Sequence, residues 1–245
     1  MINLRPYQDE LLDGARDAFR KGQRAVLLQM PTGAGKTVSG SHMIGGASRK
    51  GNVCWWLTHR RELIGQTSKT FASMGIPHGL ISAGQSSGPY KLVQIGSVQT
   101  VARRLDKLAP PDLIIFDECH HLGAGQWQAI FDAYPNAKII GLTATPWRLD
   151  GVGLGRWFGH MVNGPTVAEL ILEGALSNYR LFAPTTPDLA GVGTQAGDFK
   201  RDQLAEAMDK PSIVGDAVIH YQKLCPGKRA VVFAVNIEHS RHIVL

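Results

Sequence analysis

Apolar residues recur along the first part of this chain in short solid runs, without the strict alternation of a half-exposed sheet. The runs are Ala25–Met30, Val53–Leu57, Leu92–Ile95, Leu113–Phe116 and Ala137–Leu142. Such runs suit parallel strands buried on both faces by covering helices. Between two of them, Leu63, Thr67, Phe71 and Met74 follow helical spacing and mark a core-facing helix side. Alternating strand and helix signals predict an α/β fold with a mostly parallel central sheet flanked by helices. Trp55 and Trp56 fall inside one strand, which favours core packing over a base-stacking platform.

The periodicity changes beyond Gly164. Val167–Leu172 predicts a short helix ending near Gly174, and Tyr179–Ala183 predicts a strand. Pro184 to Gly197 is rich in Pro, Thr, Gly and Ala and reads as a connector. Helices are expected over Asp202–Met208 and Ile213–Lys223, an apolar strand over Arg229–Val235, and a further helix from Asn236 to Leu245.

Two loops carry candidate chemistry. After the first strand comes Pro31, Thr32, Gly33, Ala34, Gly35, Lys36, Thr37. Glycines let successive backbone N–H groups turn toward phosphate oxygens, and a following helix adds its positive end. Lys36 is then placed for the β and γ phosphates of ATP and the Thr37 hydroxyl for Mg2+. The usual phosphate-loop pattern has glycine where this chain has Met30, so a glycine-rich turn with an incidental lysine stays open for the loop alone. The fourth run ends in Asp117 and Glu118. Ligands of open α/β sheets gather at the carboxyl ends of strands. Neighbouring strand residues face opposite ways, so both acids serve one site only if the chain leaves the pleat between them. Asp117 would then hold Mg2+ and Glu118 would orient and deprotonate an attacking water. The alternative is an acidic strand cap.

Taken together, these segments resemble the superfamily-two helicases and translocases, the group that includes the DEAD-box and DEAH-box proteins. The box here reads Asp117, Glu118, Cys119, His120, and the likeness covers nearly the whole chain. Leu4–Gln8 looks like the family's Q motif, which implies that Gln8 bonds the adenine edge with Tyr7 or Arg5 packed nearby. Thr58 to Leu63 with Gln66 resembles motif Ia, and Ser97, Val98, Gln99, Thr100 resembles the next strand-end contact. The resemblance implies nucleic-acid contacts from Thr58, Arg60, Ser97, Gln99 and Thr100, made to sugar and phosphate without reading bases. Solvation of the arginines and helix capping by Ser97 are the structural alternatives. Thr143, Ala144, Thr145, Pro146 looks like motif III, with Thr143 and Thr145 coupled to His120, although a lone histidine is often only a hydrogen-bonded structural residue. Trp147 to Gly151 resembles an extension seen in DNA-acting members and receives no residue-level chemistry.

The same resemblance divides the chain into a RecA-like nucleotide-binding domain over 1–176, a connector over 177–210, and the incomplete start of a second RecA-like domain over 211–245. Ala230–Ala234 followed by Glu238, His239 and Ser240 looks like motif IV of that second domain. Motifs V and VI, which would supply arginines across the domain cleft, do not occur in the sequence.

Composition adds little. The net charge of +6 fits a polyanionic partner without excluding an ordinary basic enzyme. Cys54, Cys119 and Cys225 lack metal-ligand spacing, and Cys119 reads as an inert neighbour of the acids. No apolar run approaches bilayer length, so the expectation is a soluble, cytoplasmic protein without a membrane partner. The functional expectation is an ATP- and Mg2+-dependent helicase or translocase on nucleic acid, DNA favoured over RNA, with a further C-terminal half or other subunits as partners. A nucleotide-responsive nucleic-acid-binding module without efficient turnover is the alternative, and a small-molecule kinase on the same loop ranks last because it leaves Gln8 and the Thr58 and Ser97 segments unexplained.

Overall fold

A computed structural model describes residues 3–82, 85–88, 90–121, 124–147, 151, 153–182, 187–195 and 198–244. The chain divides into two compact units, Met1–Asn178 and Tyr179–Leu245. In the first, the elements run α1 (Pro6–Arg20), β1 (Ala25–Gln29), α2 (Lys36–Ser48), β2 (Cys54–Thr58), α3 (Arg61–Ser73), β3 (His78–Ser82), β4 (Gln85–Ser87) and β5 (Val93–Ser97). They continue through α4 (Val98–Ala102), β6 (Leu113–Asp117), α5 (Ala124–Ala133), β7 (Lys138–Thr143), β8 (His160–Asn163) and α6 (Val167–Leu172).

The strands form one eight-stranded sheet in the order β4-β3-β5-β2-β6-β7-β1-β8. Every neighbouring pair is parallel except β3 with β4, so the expected mostly parallel α/β sheet is present. The five solid apolar runs supply its buried centre. Successive side chains alternate between two core layers. One layer joins Val26, Leu28, Trp56, Ile115 and Ile140 to Leu11 and Leu12 of α1, Ile44 of α2 and Phe71 of α3. The other joins Leu27, Trp55, Ile114, Phe116 and Ile139 to Val98 and Val101 of α4 and to Trp127 and Ile130 of α5. Trp55 meets Tyr134 edge-on at 5.0 Å and Trp56 meets Phe71 edge-on at 5.6 Å, so both indoles are core residues, as expected. On α3 the deepest positions are Ile64, Thr67 and Phe71, with Leu63 only partly covered.

Three strands at the margins of the sheet escape the apolar-run pattern. β8 is mostly exposed and polar, while β3 and β4 form a short antiparallel margin. Edge strands face solvent and need no solid hydrophobic run.

The second unit holds a small antiparallel pair, β9 (Thr194–Gln195) with β10 (Asp198–Phe199), then α7 (Arg201–Met208), α8 (Pro211–Leu224) and α9 (Ile237–Val244). The three helices fall where expected. The two strands do not. Residues 179–182 are irregular, Ala183 lies outside the described residues with 184–186 and 196–197 of the connector, and 229–234 form no ladder. Among the described residues no strand pairs with either segment, and a strand without a neighbour leaves its backbone groups unpaired. Val231 and Phe233 are instead 81% and 94% exposed. Arg148, Leu149 and Asp150 of the sequence extension also lie outside the described residues.

Helix α2 lies tightly on the sheet at Gly40, where an added Cβ would come within 2.5 Å of the Trp56 ring and 3.1 Å of Leu142. Replacing an interior helix glycine by alanine normally gains up to about 1 kcal/mol of helix propensity. Overpacking a rigid core costs about 1–3 kcal/mol, and Trp56 is completely buried. Gly40→Ala is therefore expected to lower stability by roughly 1 kcal/mol net, read as a lower urea midpoint at unchanged slope. A raised midpoint would show slack between α2 and the sheet.

Candidate active site

Because the central strands run parallel, their carboxyl ends share one edge of the sheet. The ladder β2-β6-β7-β1 places the ends of those four strands side by side there, with β5 next to β2. The loop after β1 leads into α2 at Lys36 through Gly33 (φ +85°) and Gly35 (φ +88°). Gly35 is required twice over: L side chains rarely adopt that backbone, and a Cβ there would stand 2.4 Å from Gln8 Nε2.

Lys36 is 8% exposed, with Nζ 3.5 Å from the Met30 carbonyl and 3.5 Å from Glu118 Oε1. β7 separates β1 from β6 in the sheet, so this contact passes over the end of β7. Asp117 ends β6, and Glu118 then turns to φ +48°, the one non-glycine residue with positive φ among those described. The exit from the pleat that a shared site requires is present at that residue. Such a left-handed residue costs on the order of 1 kcal/mol, which the flanking packing must hold.

Burial, reinforced by the Glu118 charge and partly opposed by Lys36, raises the Asp117 pKa from 3.8 to about 6. One ammonium thus faces two carboxylates in a largely buried pocket. Thr37 stands one residue after Lys36 in the first turn of α2. Among the described residues no group of three or more His, Cys, Asp or Glu side chains is placed to hold a metal. An incompletely neutralised buried aspartate fits Mg2+, which usually takes few protein ligands and fills the rest with phosphate oxygens and water.

The loop is held from behind. Tyr7 Oη and Gln8 Nε2 both donate to the Ala34 carbonyl, at 3.1 and 3.0 Å, while Gln8 Oε1 accepts the Arg5 N–H at 2.9 Å. Gln8 is 5% exposed. The first turn of α1 thus packs under the loop, and Gln8 spends one donor and one acceptor there.

His120, Thr143 and Thr145 come together. His120 Nδ1 lies 2.8 Å from Thr143 Oγ1, which donates to the Thr145 carbonyl at 2.7 Å and accepts its N–H at 3.1 Å. With the hydroxyl hydrogen on Thr145, the bond from His120 is donated by Nδ1. Gln29 Nε2 adds a bond to the Ala144 carbonyl at 3.1 Å, tying the phosphate-loop strand to the same turn. Burial, then the neighbouring His121, lowers the His120 pKa, so its 3.5 Å approach to Glu118 Oε2 at neutral pH is a contact of a neutral ring.

The nucleic-acid candidates divide. Arg60 is exposed at the N-cap of α3, and Gln99 Nε2 reaches the His59 carbonyl at 3.4 Å, so the turns after β2 and β5 are joined. Ser97 caps α4, accepting from Thr100 N at 3.2 Å and donating to Thr100 Oγ1 at 2.8 Å, which is the structural alternative named for it. Thr58 corrects the sequence reading: its side chain is fully buried and its hydroxyl has no partner, so it does not face a bound strand. As residue i+2 from Trp56 it takes the core side of the pleat. Sequence reasoning gave no role to His59 or His121, whose rings lie 4.6 Å apart. The signal available was the His120–His121 doublet beside the acid pair.

Residues 1–148 match the family model described as type III restriction enzyme, res subunit. The chain belongs to this family. A 51.5 kDa protein of a Lactococcus phage is 33% identical over 88% of this chain and 45% of its own length. The putative mitochondrial ATP-dependent helicase irc3 of Schizosaccharomyces pombe is 28% identical over 98% of this chain and 42% of its own. The chain therefore spans less than half the length of these curated relatives. The UvsW helicase of bacteriophage T4 matches in structure with TM-score 0.52 at 18% identity, covering 66% of this chain and 60% of that one. The likeness shows the fold, a RecA-like α/β domain.

The raised Asp117 pKa sets a pH dependence. The folded protein holds this proton more tightly than the unfolded chain, so the group's stabilising contribution is complete below about pH 4 and is lost as pH rises through about 6. Asp117→Asn is expected to stabilise the ligand-free protein near neutral pH by up to about 3 kcal/mol, read as a higher melting temperature, with the gain vanishing in acid. A gain independent of pH would assign the effect to packing.

Proposed function

We propose that this chain provides the nucleotide-binding domain of an ATP-dependent motor that moves along nucleic acid, with DNA as the favoured strand. The observation that carries the reading is the meeting of the Lys36 ammonium with Glu118 at 3.5 Å, beside Asp117, across the intervening β7 strand. The family's restriction-enzyme description and the net charge of +6 support DNA. No helix among the described residues is long and apolar enough to cross a membrane.

Backbone N–H groups of Thr32, Gly33, Ala34 and Gly35 would cradle the phosphates, with Lys36 meeting the β and γ groups. Tyr7 and Gln8 act on ATP by fixing the Ala34 carbonyl behind the loop. Thr37 and Asp117 would hold Mg2+, which when bound neutralises charge on the phosphate oxygens. Glu118 orients a water for in-line attack and accepts its proton at a carboxylate oxygen. His120, Thr143 and Thr145 connect this turn to the rest of the strand-end edge, where Arg60, Gln99 and Thr100 offer backbone contacts to the strand. Residues 1–176 form the nucleotide domain in this reading, 177–210 the connector, and 211–245 belong to a second RecA-like domain whose closure would convert turnover into movement. Translocation is the common step; unwinding is its consequence when a second strand is displaced.

Two variants test the assignment in an assay of ATP hydrolysis with and without DNA. Glu118→Gln should keep nucleotide affinity while turnover falls by about 10²–10⁴; undiminished turnover would show that another group activates the water. Lys36→Ala should weaken nucleotide binding itself, and unchanged affinity would remove Lys36 from the site. Nucleotide and DNA binding without any turnover in the unaltered protein would instead favour a nucleotide-responsive binding module. DNA affinity should also fall steeply on a double-logarithmic plot against salt, and a salt-insensitive complex would argue against phosphate contacts.

A further inference from the structure

Three imidazoles form an unbroken stack between the acid pair and the basic turn after β2. The His120 and His121 rings are 3.9 Å apart and tilted by 43°, and the His121 and His59 rings are 4.6 Å apart and tilted by 40°. His59 and His121 are 62 residues apart in sequence and meet because β2 and β6 are ladder neighbours whose ends carry them. At one end, His120 touches Thr143 and lies 3.5 Å from Glu118 Oε2, while Lys36 lies 3.5 Å from Oε1 of the same carboxylate. The glutamate is therefore bracketed by two long contacts and not locked by a short one.

At the other end, Arg60 Nε donates to His59 Nε2 at 3.1 Å. That bond puts the His59 proton on Nδ1, which is buried and has no partner. His59 is thus held by a single ring bond, and its donor is the exposed arginine best placed to meet a phosphate. Burial and the neighbouring positive groups lower the basicity of all three rings, so the stack is uncharged near neutral pH and does not repel itself. A phosphate that recruits Arg60 Nε removes the ring bond of His59. Loss of that bond would free the His59 ring to turn, and because His59 touches His121 and His121 touches His120, the displacement would reach Glu118.

We propose that the His59, His121 and His120 rings form a packed bridge by which a nucleic-acid phosphate taken up at Arg60 re-aims Glu118 for hydrolysis, making His121 a positioning residue. This inference rests on the motor reading above. It assigns the coupling to ring contact, so it needs the shape of His121 and not its proton.

The test compares His121→Ala and His121→Phe in the protein, with ATP hydrolysis measured without DNA and at saturating DNA. In His121→Ala the stimulation by DNA should fall about tenfold, with unstimulated turnover, the ATP KM and DNA affinity within about twofold of the original. His121→Phe should restore the stimulation because it keeps a flat ring. Full stimulation in His121→Ala overturns the bridge, and so does an equal loss of stimulated and unstimulated turnover, which marks a merely structural residue. Failure of His121→Phe to restore it also overturns a contact mechanism. If the unaltered protein ignores DNA altogether, the motor reading fails and the bridge with it, whereas stimulation that survives the alanine variant removes the bridge alone.

Discussion

The parallel direction of β2, β6, β7 and β1 is the constraint from which the site follows. Parallel ladders bring every carboxyl end to one edge, and there residues far apart in sequence become neighbours: the loop over 30–37, the acids at 117 and 118, and the threonines at 143 and 145. An antiparallel β7 would have placed Thr143 at the far edge, away from His120. With β7 parallel, its end is the low point over which Lys36 reaches Glu118. The glycines of the loop and the left-handed turn at Glu118 are local answers to that global arrangement.

The arrangement is held at some expense of stability. Lys36 and Asp117 are both nearly buried, and the aspartate is pushed toward protonation by its own burial and by Glu118. Burying charge without full compensation is unfavourable. The backing bonds from Tyr7 and Gln8 to Ala34 keep the loop in shape before any phosphate arrives. On the proposed reading, a bound cation would complete the neutralisation of the carboxylates. Proteins commonly keep such a cost in stability where they bind.

The buried strands were legible because a strand covered on both faces leaves a solid apolar run, and the two glycines and the acid pair marked the ends that matter. Other features depended on spatial neighbours that periodicity does not encode. Arg229–Val235 has the composition of a central strand, yet composition cannot supply a partner ladder, and the segment stays irregular. β8 was invisible because an exposed edge strand carries His, Met, Val and Asn without an apolar run. The support of the loop by Gln8 was not legible, because its bond to Ala34 joins positions 26 residues apart. Parity puts Thr58 on the same side as Trp56, but its burial follows from a strand covered along its whole length on both faces. The contact of His59 with His121 required knowing that β2 and β6 are adjacent.

Packing under the acid pair explains why the turn occurs at Glu118 and not elsewhere. Asp117 and Cys119 are both buried, the first at the end of β6 and the second in the tight turn that follows. Asp117 has the parity of Ile115 in one core layer, whereas Cys119 packs with Phe116 in the other, so the chain leaves the pleat within one residue, and Glu118 takes a positive φ there. Cys119 has room only because Gly141 in neighbouring β7 lacks a side chain, since a Cβ there would stand 2.9 Å from Cys119 Sγ and 2.4 Å from Phe158. Burial raises the thiol pKa well above its ordinary value, leaving an unreactive apolar plug, in keeping with its reading as an inert neighbour. The aim of the carboxylates is thus set by an apolar contact on the opposite side of the turn, where cysteine and glycine fit each other in the core and oblige the glutamate to face the loop.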